Sequence, residues 1–89
     1  MAEIMVEKLK KRIEEETRYF LDNPEKVDLK SIDGAVARCF GALCLVTDVL
    51  FDLGQTELAT ELGQHWDEIE RPAFYDILYK SWGLYKKIK

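Results

Sequence analysis

The hydrophobic positions of this chain fall into four blocks, each with helical rhythm. In the first, from Glu3 to about Leu21, the apolar stripe is Ala2, Met5 or Val6, Leu9, Ile13 and Phe20, with Thr17 filling the one gap. Recurrence every three or four residues puts these side chains on one face of an α-helix. The opposite face carries Glu7 and Lys11, and Glu14 and Arg18, in the favourable i,i+4 order. Asp22-Asn23-Pro24 should stop this helix, because the residue before proline is driven out of the α region. Residues 22–31 then read as a connection in which Val27 and Leu29 are expected to pack against the core.

The second block, Ile32 to Leu53, is twenty-two residues long and carries four charges, Asp33, Arg38, Asp48 and Asp52. Its apolar residues, among them Val36, Phe40, Leu43, Val46, Leu50 and Leu53, spread around most of the helix, which predicts a central element covered by others. Ser31 is a suitable N-cap and Gly54 a suitable C′ residue. Gly34, Ala37 and Gly41 recur on one line of this helix. Glycine costs about 1 kcal/mol relative to alanine in a helix interior, so two of them there point to close approach of another backbone. The expectation is that this line is a self-association face.

Thr56 is expected to cap a third helix whose buried face is Leu58, Ala59, Leu62, Trp66 and Ile69. Pro72 ends or kinks it. From Pro72 to about Lys87 a fourth stretch is rich in aromatics, and the rhythm through Ala73, Ile77 and Leu84 is compatible with a kinked continuation. The expected fold is therefore all-α: one domain spanning residues 1–89, a bundle of three long helices plus a C-terminal helical segment. Proline and glycine, two and five residues, are too scarce for the turns of an all-β fold.

Composition changes this picture little, but charge adds to it. The net charge is −4. Residues 31–70 carry Arg38 alone against eight acids, whereas residues 71–89 carry five basic residues against Asp76. Tyr79, Lys80, Trp82, Tyr85 and Lys86 interleave aromatic and basic character in that basic end, a candidate partner-binding surface. The uninterrupted apolar run Cys39–Thr47 is about nine residues where a membrane span needs about twenty, and residues 1–18 lack the apolar segment of a signal peptide. These features predict a soluble cytoplasmic protein without a membrane partner. Cys39 and Cys44 point about 140° apart on a helix, so both are expected as buried free thiols.

Motifs that carry chemistry are sparse. Gln55-Thr56-Glu57-Leu58-Ala59-Thr60-Glu61-Leu62-Gly63 resembles the first helix and turn of a helix-turn-helix domain, with Gly63 at the turn. The segment that would then read DNA, Gln64 to Glu70, has three acids and no Lys or Arg. Phosphate neutralisation requires the reverse, so nucleic-acid binding is not expected. His65, the only histidine, has Glu61 and Glu68 one turn to either side, yet one helix supplies too few ligands for a functional metal. Asp48 and Asp52 read as the solvent edge of the central helix. No Glu-x-x-Glu pair, glycine-rich phosphate loop or nucleophile motif is present. The reading is a non-enzymatic interaction module, homo-oligomeric, with no cofactor and with an unidentified protein partner. The alternatives are a small acidic inhibitor that mimics nucleic acid, of the kind mobile elements encode, and a helix-turn-helix regulator.

Overall fold

The computed structural model describes the backbone of Ala2–Ile88 and the side chains of residues 2–81. The described residues form helices α1 (Ala2–Asp22), α2 (Leu29–Asp52), α3 (Thr56–His65) and α4 (Arg71–Ile88), with a 3₁₀ turn at Pro24–Lys26 and a π-helical turn at Trp66–Glu70, and no strand. The fold is all-α, with extents of 53 × 19 × 17 Å. α1 and α2 pack antiparallel, α3 lies against α2, and α4 contacts both α1 and α2. The core runs from Val6, Leu9, Ile13 and Phe20 of α1, through Ile32, Ala35, Cys39, Leu43 and Leu50 of α2, to Ala59, Leu62, Trp66, Phe74 and Leu78.

The two ends of α2 show why it starts and stops where it does. Its N-cap is Asp28 rather than Ser31: the Asp28 carboxylate accepts a hydrogen bond from the Ser31 backbone N–H at 2.7 Å. Ser31 is the third helical residue, and its N–H is one of the donors that the first turn cannot satisfy internally. That hydrogen bond also holds the Asp28 carboxyl below its ordinary range. Asp28→Ala should therefore lower the melting temperature by a few degrees, and Ser31→Ala should lower it less; thermal unfolding of both variants checks the assignment. At the other end Gly54 has φ +78°, its N–H bonds the Phe51 carbonyl, and the Gln55 N–H bonds the Leu50 carbonyl at 2.8 Å. This pair of bonds is the Schellman arrangement, whose left-handed residue favours glycine.

The third and fourth blocks form one continuous rod. At Pro72 an α-helix would lose a backbone bond and crowd the carbonyl four residues earlier. The π-turn relieves this by widening the helix just before it, and the Arg71 N–H reaches back five residues to the Trp66 carbonyl. The slower rotation of this turn changes which side chains face inward. Ile69, expected in the core, is turned out to solvent, while Trp66, Phe74 and Leu78 are buried. Residues five apart lie about 140° apart on an α-helix. Here they meet: His65 Nδ1 is 3.1 Å from Glu70 Oε1. α3 also begins with Thr56 as its first helical residue, and its cap, Gln55, makes no side-chain bond.

Three residues expected inside depart from the core along α2 and at its C-cap. Leu29, Phe40 and Leu53 are half exposed rather than packed inside, because α1 and the α3–α4 rod cover only one side of the helix. In the connection, Val27 does pack against the core.

Candidate functional site

α2 sorts its residues into three sectors. Turning 100° per residue, the Ile32–Ala35–Cys39–Leu43–Leu50 stripe faces the core. On one flank, Asp33 accepts a 2.7 Å hydrogen bond from the Tyr75 hydroxyl of α4, and the Phe40 ring sits 6.4 Å from that of Trp66. This bond pushes the Tyr75 phenol up from its ordinary pKa. On the opposite flank, Arg38 reaches α1, with Nη2 donating to Glu16 Oε2 at 2.8 Å and Nε to Oε1 at 3.4 Å. The two-pronged contact raises the Arg38 pKa and fixes the register of the antiparallel pair.

The third sector is the back of the helix, and the self-association line Gly34, Ala37 and Gly41 lies on it. Among the described residues, nothing fills the groove over Gly41. A Cβ built on Gly41 would meet nothing within 4 Å, and one on Gly34 only the Arg38 guanidinium at 3.4 Å. Ala37, Gly41 and Asp48 are exposed and Cys44 is half-buried. Cys39, by contrast, is buried, and loss of solvent raises its thiol pKa to about 11. α2 is also long and apolar enough to cross a membrane by length and composition, and only 22% of its most apolar window is buried. An uninterrupted run of nine residues understates this, since Arg38 and Asp48 bound the run without interrupting the helix.

The basic aromatic surface is only partly visible. Tyr79 and Lys80 are exposed on α4, whereas Trp82, Tyr85 and Lys86 lie outside the residues whose side chains are described. The nine residues that resemble a helix-turn-helix start do not turn: α3 continues through Gly63 to His65 and into the π-turn, so a second helix does not leave at Gly63. His65 pairs with Glu70, five residues on, rather than with Glu61 or Glu68. Among the described residues, no three His, Cys, Asp or Glu side chains converge as a metal site would require.

One site escapes sequence reading altogether. Along the Arg38 flank, a cleft lies between α1 and α2 in two parts that share Arg12 on their linings. Met5, Leu9, Ala42, Leu45, Val46 and Val49 form an aliphatic part of ≈ 420 Å³, with Lys8 and Arg12 beside it. Arg12 continues into a polar part of ≈ 780 Å³, where Lys26, Lys30 and Arg38 gather with Glu15 and Glu16. The signal in the sequence is slight. Ala42, Leu45 and Val49 do recur at helical spacing, but nothing local shows that α1 would place its lysine and arginine beside them. No family model, curated protein or solved structure matches the chain.

Proposed function

We propose that this chain is a non-enzymatic protein-interaction module that associates with a second copy of itself through the back of α2. One observation carries the reading: on the back of a long apolar helix, where Gly34, Ala37 and Gly41 fall in line, Ala37 and Gly41 are exposed and a Cβ built on Gly41 would meet nothing within 4 Å. Glycine and alanine there permit two helix backbones to approach closely, which increases dispersion contact along the line. Charge selects the orientation. Lys30, Gly34, Ala37, Gly41, Asp48 and Asp52 fall within about 60° of arc. Lys30 lies eleven positions before Gly41 and Asp52 eleven after it. An antiparallel pair crossing at Gly41 brings each Lys30 against the other copy's Asp52. A parallel pair would set like charges together.

Gly41→Leu tests the reading. Light scattering at tens of micromolar should show an oligomer for the wild type and a folded, smaller species for the variant. Because the site is open, the variant monomer should gain about 0.8 kcal/mol of helix propensity rather than lose stability. A monomeric wild type overturns the reading, and recovery only with membranes replaces it with insertion of α2.

A second reading rests on the acidic outer surface of the α3 rod, where Glu57, Glu61, Asp67 and Glu68 are all exposed. Such a surface suits an inhibitor that occupies a nucleic-acid-binding site on its target. Retention of the chain on heparin at physiological salt would remove that reading.

A further inference from the structure

The cleft on the Arg38 flank has the form of a seat for one more helix. Among the described residues, those of α1, the 3₁₀ turn and α2 line it, and those of α3 and α4 do not. They pack on the other flank of α2, where Asp33 and Phe40 make their contacts. α1 presents Met5, Lys8, Arg12, Glu16 and Tyr19 to the cleft, and α2 presents Gly34, Arg38, Ala42, Leu45 and Val49, both at spacings of three and four. Leu45 is 68% exposed although it lies on the most apolar helix of the chain.

We propose that this cleft binds an amphipathic α-helix with acidic flanks, contributed by a different protein. The shape argues for a helix. Two antiparallel helices leave a straight furrow, and from Met5 to Tyr19 it runs about 21 Å, roughly four helical turns. It offers no strand edge to hydrogen-bond an extended chain, so apolar anchors at i, i+3 or i+4 and i+7 are the matching pattern. The apolar part is aliphatic, as suits the leucine-type anchors of such a helix, and the two rings on the lining, Tyr19 and Phe20, belong to the polar part.

Charge argues for acids on the partner. Of the charged residues on the lining, Arg38 and Glu16 engage each other, which leaves Lys8, Arg12, Lys26 and Lys30 against Glu15. Five of the thirteen Lys and Arg side chains of a chain of net charge −4 thus line one furrow. The same cleft of a second copy would set cation against cation, which disfavours self-pairing here. The cleft shares Lys30 and Gly34 with the back of α2, but Lys8, Arg12 and Leu45 lie off that line, so changes at these three residues separate the two surfaces.

The test uses a fluorescent synthetic peptide of about sixteen residues, four turns long. It carries leucines on one stripe and glutamates beside them, and a control replaces every glutamate with lysine. Fluorescence anisotropy with the intact protein should show saturable binding of the acidic peptide at least about tenfold tighter than the control, weakening as salt rises past about 0.15 M. Lys8→Glu with Arg12→Glu should weaken it by about tenfold or more, with circular dichroism and mass by light scattering unchanged. Leu45→Ala should weaken it without altering its salt dependence. Equal binding of both peptides, no saturable binding, or an unaffected double variant overturns the proposal. So does binding to phosphatidylserine vesicles in place of the peptide, which would make the cleft a lipid-facing surface. A monomeric wild type that still binds the acidic peptide overturns only the self-association reading.

Discussion

Trp66→Ala should destabilise the protein by about 3–5 kcal/mol, the range for removing a buried large aromatic from a core. Trp66 is only 1% exposed, and it joins the three parts of the structure. Its ring lies 6.4 Å from Phe40 of α2 and 6.2 Å from Phe74 of α4, while its own position is the first residue of the π-turn. Truncation therefore removes dispersion contacts with both helices and leaves a void where the rod meets α2. A chain of 89 residues has little reserve against such a loss. Urea unfolding followed by circular dichroism should show a large drop in midpoint with a similar slope. Phe74→Leu, a milder change at the neighbouring ring, should lower it by less. A loss under about 1 kcal/mol for Trp66→Ala, the scale of an ordinary surface substitution, would mean that the core centre lies elsewhere.

The second large effect concerns alkaline pH. Cys39 is fully buried, and loss of solvent raises its thiol pKa from 9.0 to about 11. Between those values the unfolded chain releases the proton and the folded chain keeps it. Stability therefore falls as pH rises through this window, by on the order of 2–3 kcal/mol at its upper end. The raised Tyr75 phenol acts in the same direction, because its bond to Asp33 requires the proton. Chemical denaturation from pH 8 to about pH 11, at one fixed protein concentration, should show this decline. Cys39→Ala should flatten it while lowering the neutral-pH baseline through the volume removed. An equally steep decline in that variant would assign the effect to other groups. Native-state alkylation adds an independent check: half-buried Cys44 should react first, and Cys39 only on unfolding.

Much of the architecture was legible from short-range pattern. The α1 stripe of Val6, Leu9, Ile13 and Phe20 is the observed core face, and Gly54 has the left-handed backbone expected just beyond α2. Glu14 and Arg18 form the expected pair at 2.7 Å. Such features rest on residues within one or two helical turns of each other, so periodicity and backbone preference determine them without reference to the rest of the fold. The same local logic exposed the small-residue line on α2, because only its spacing had to be read.

What local pattern could not decide is which side of each helix a neighbour covers. An apolar circumference predicted that α2 would be enclosed, but α1 and the rod cover only one side, which leaves Phe40, Leu45 and the Gly41 line exposed. Enclosure depends on how many helices exist and where they dock, not on the hydropathy of the helix being covered. The π-turn is a second case. Pro72 announced a disturbance, but whether it breaks, kinks or widens the helix depends on the packing of Trp66 and Phe74, and that choice turned Ile69 outward and brought Glu70 to His65. The Arg38–Glu16 contact joins residues twenty-two apart, and with it comes the cleft between α1 and α2. Sequence spacing carries no information about that contact, because it arises only when two antiparallel helices settle into one register.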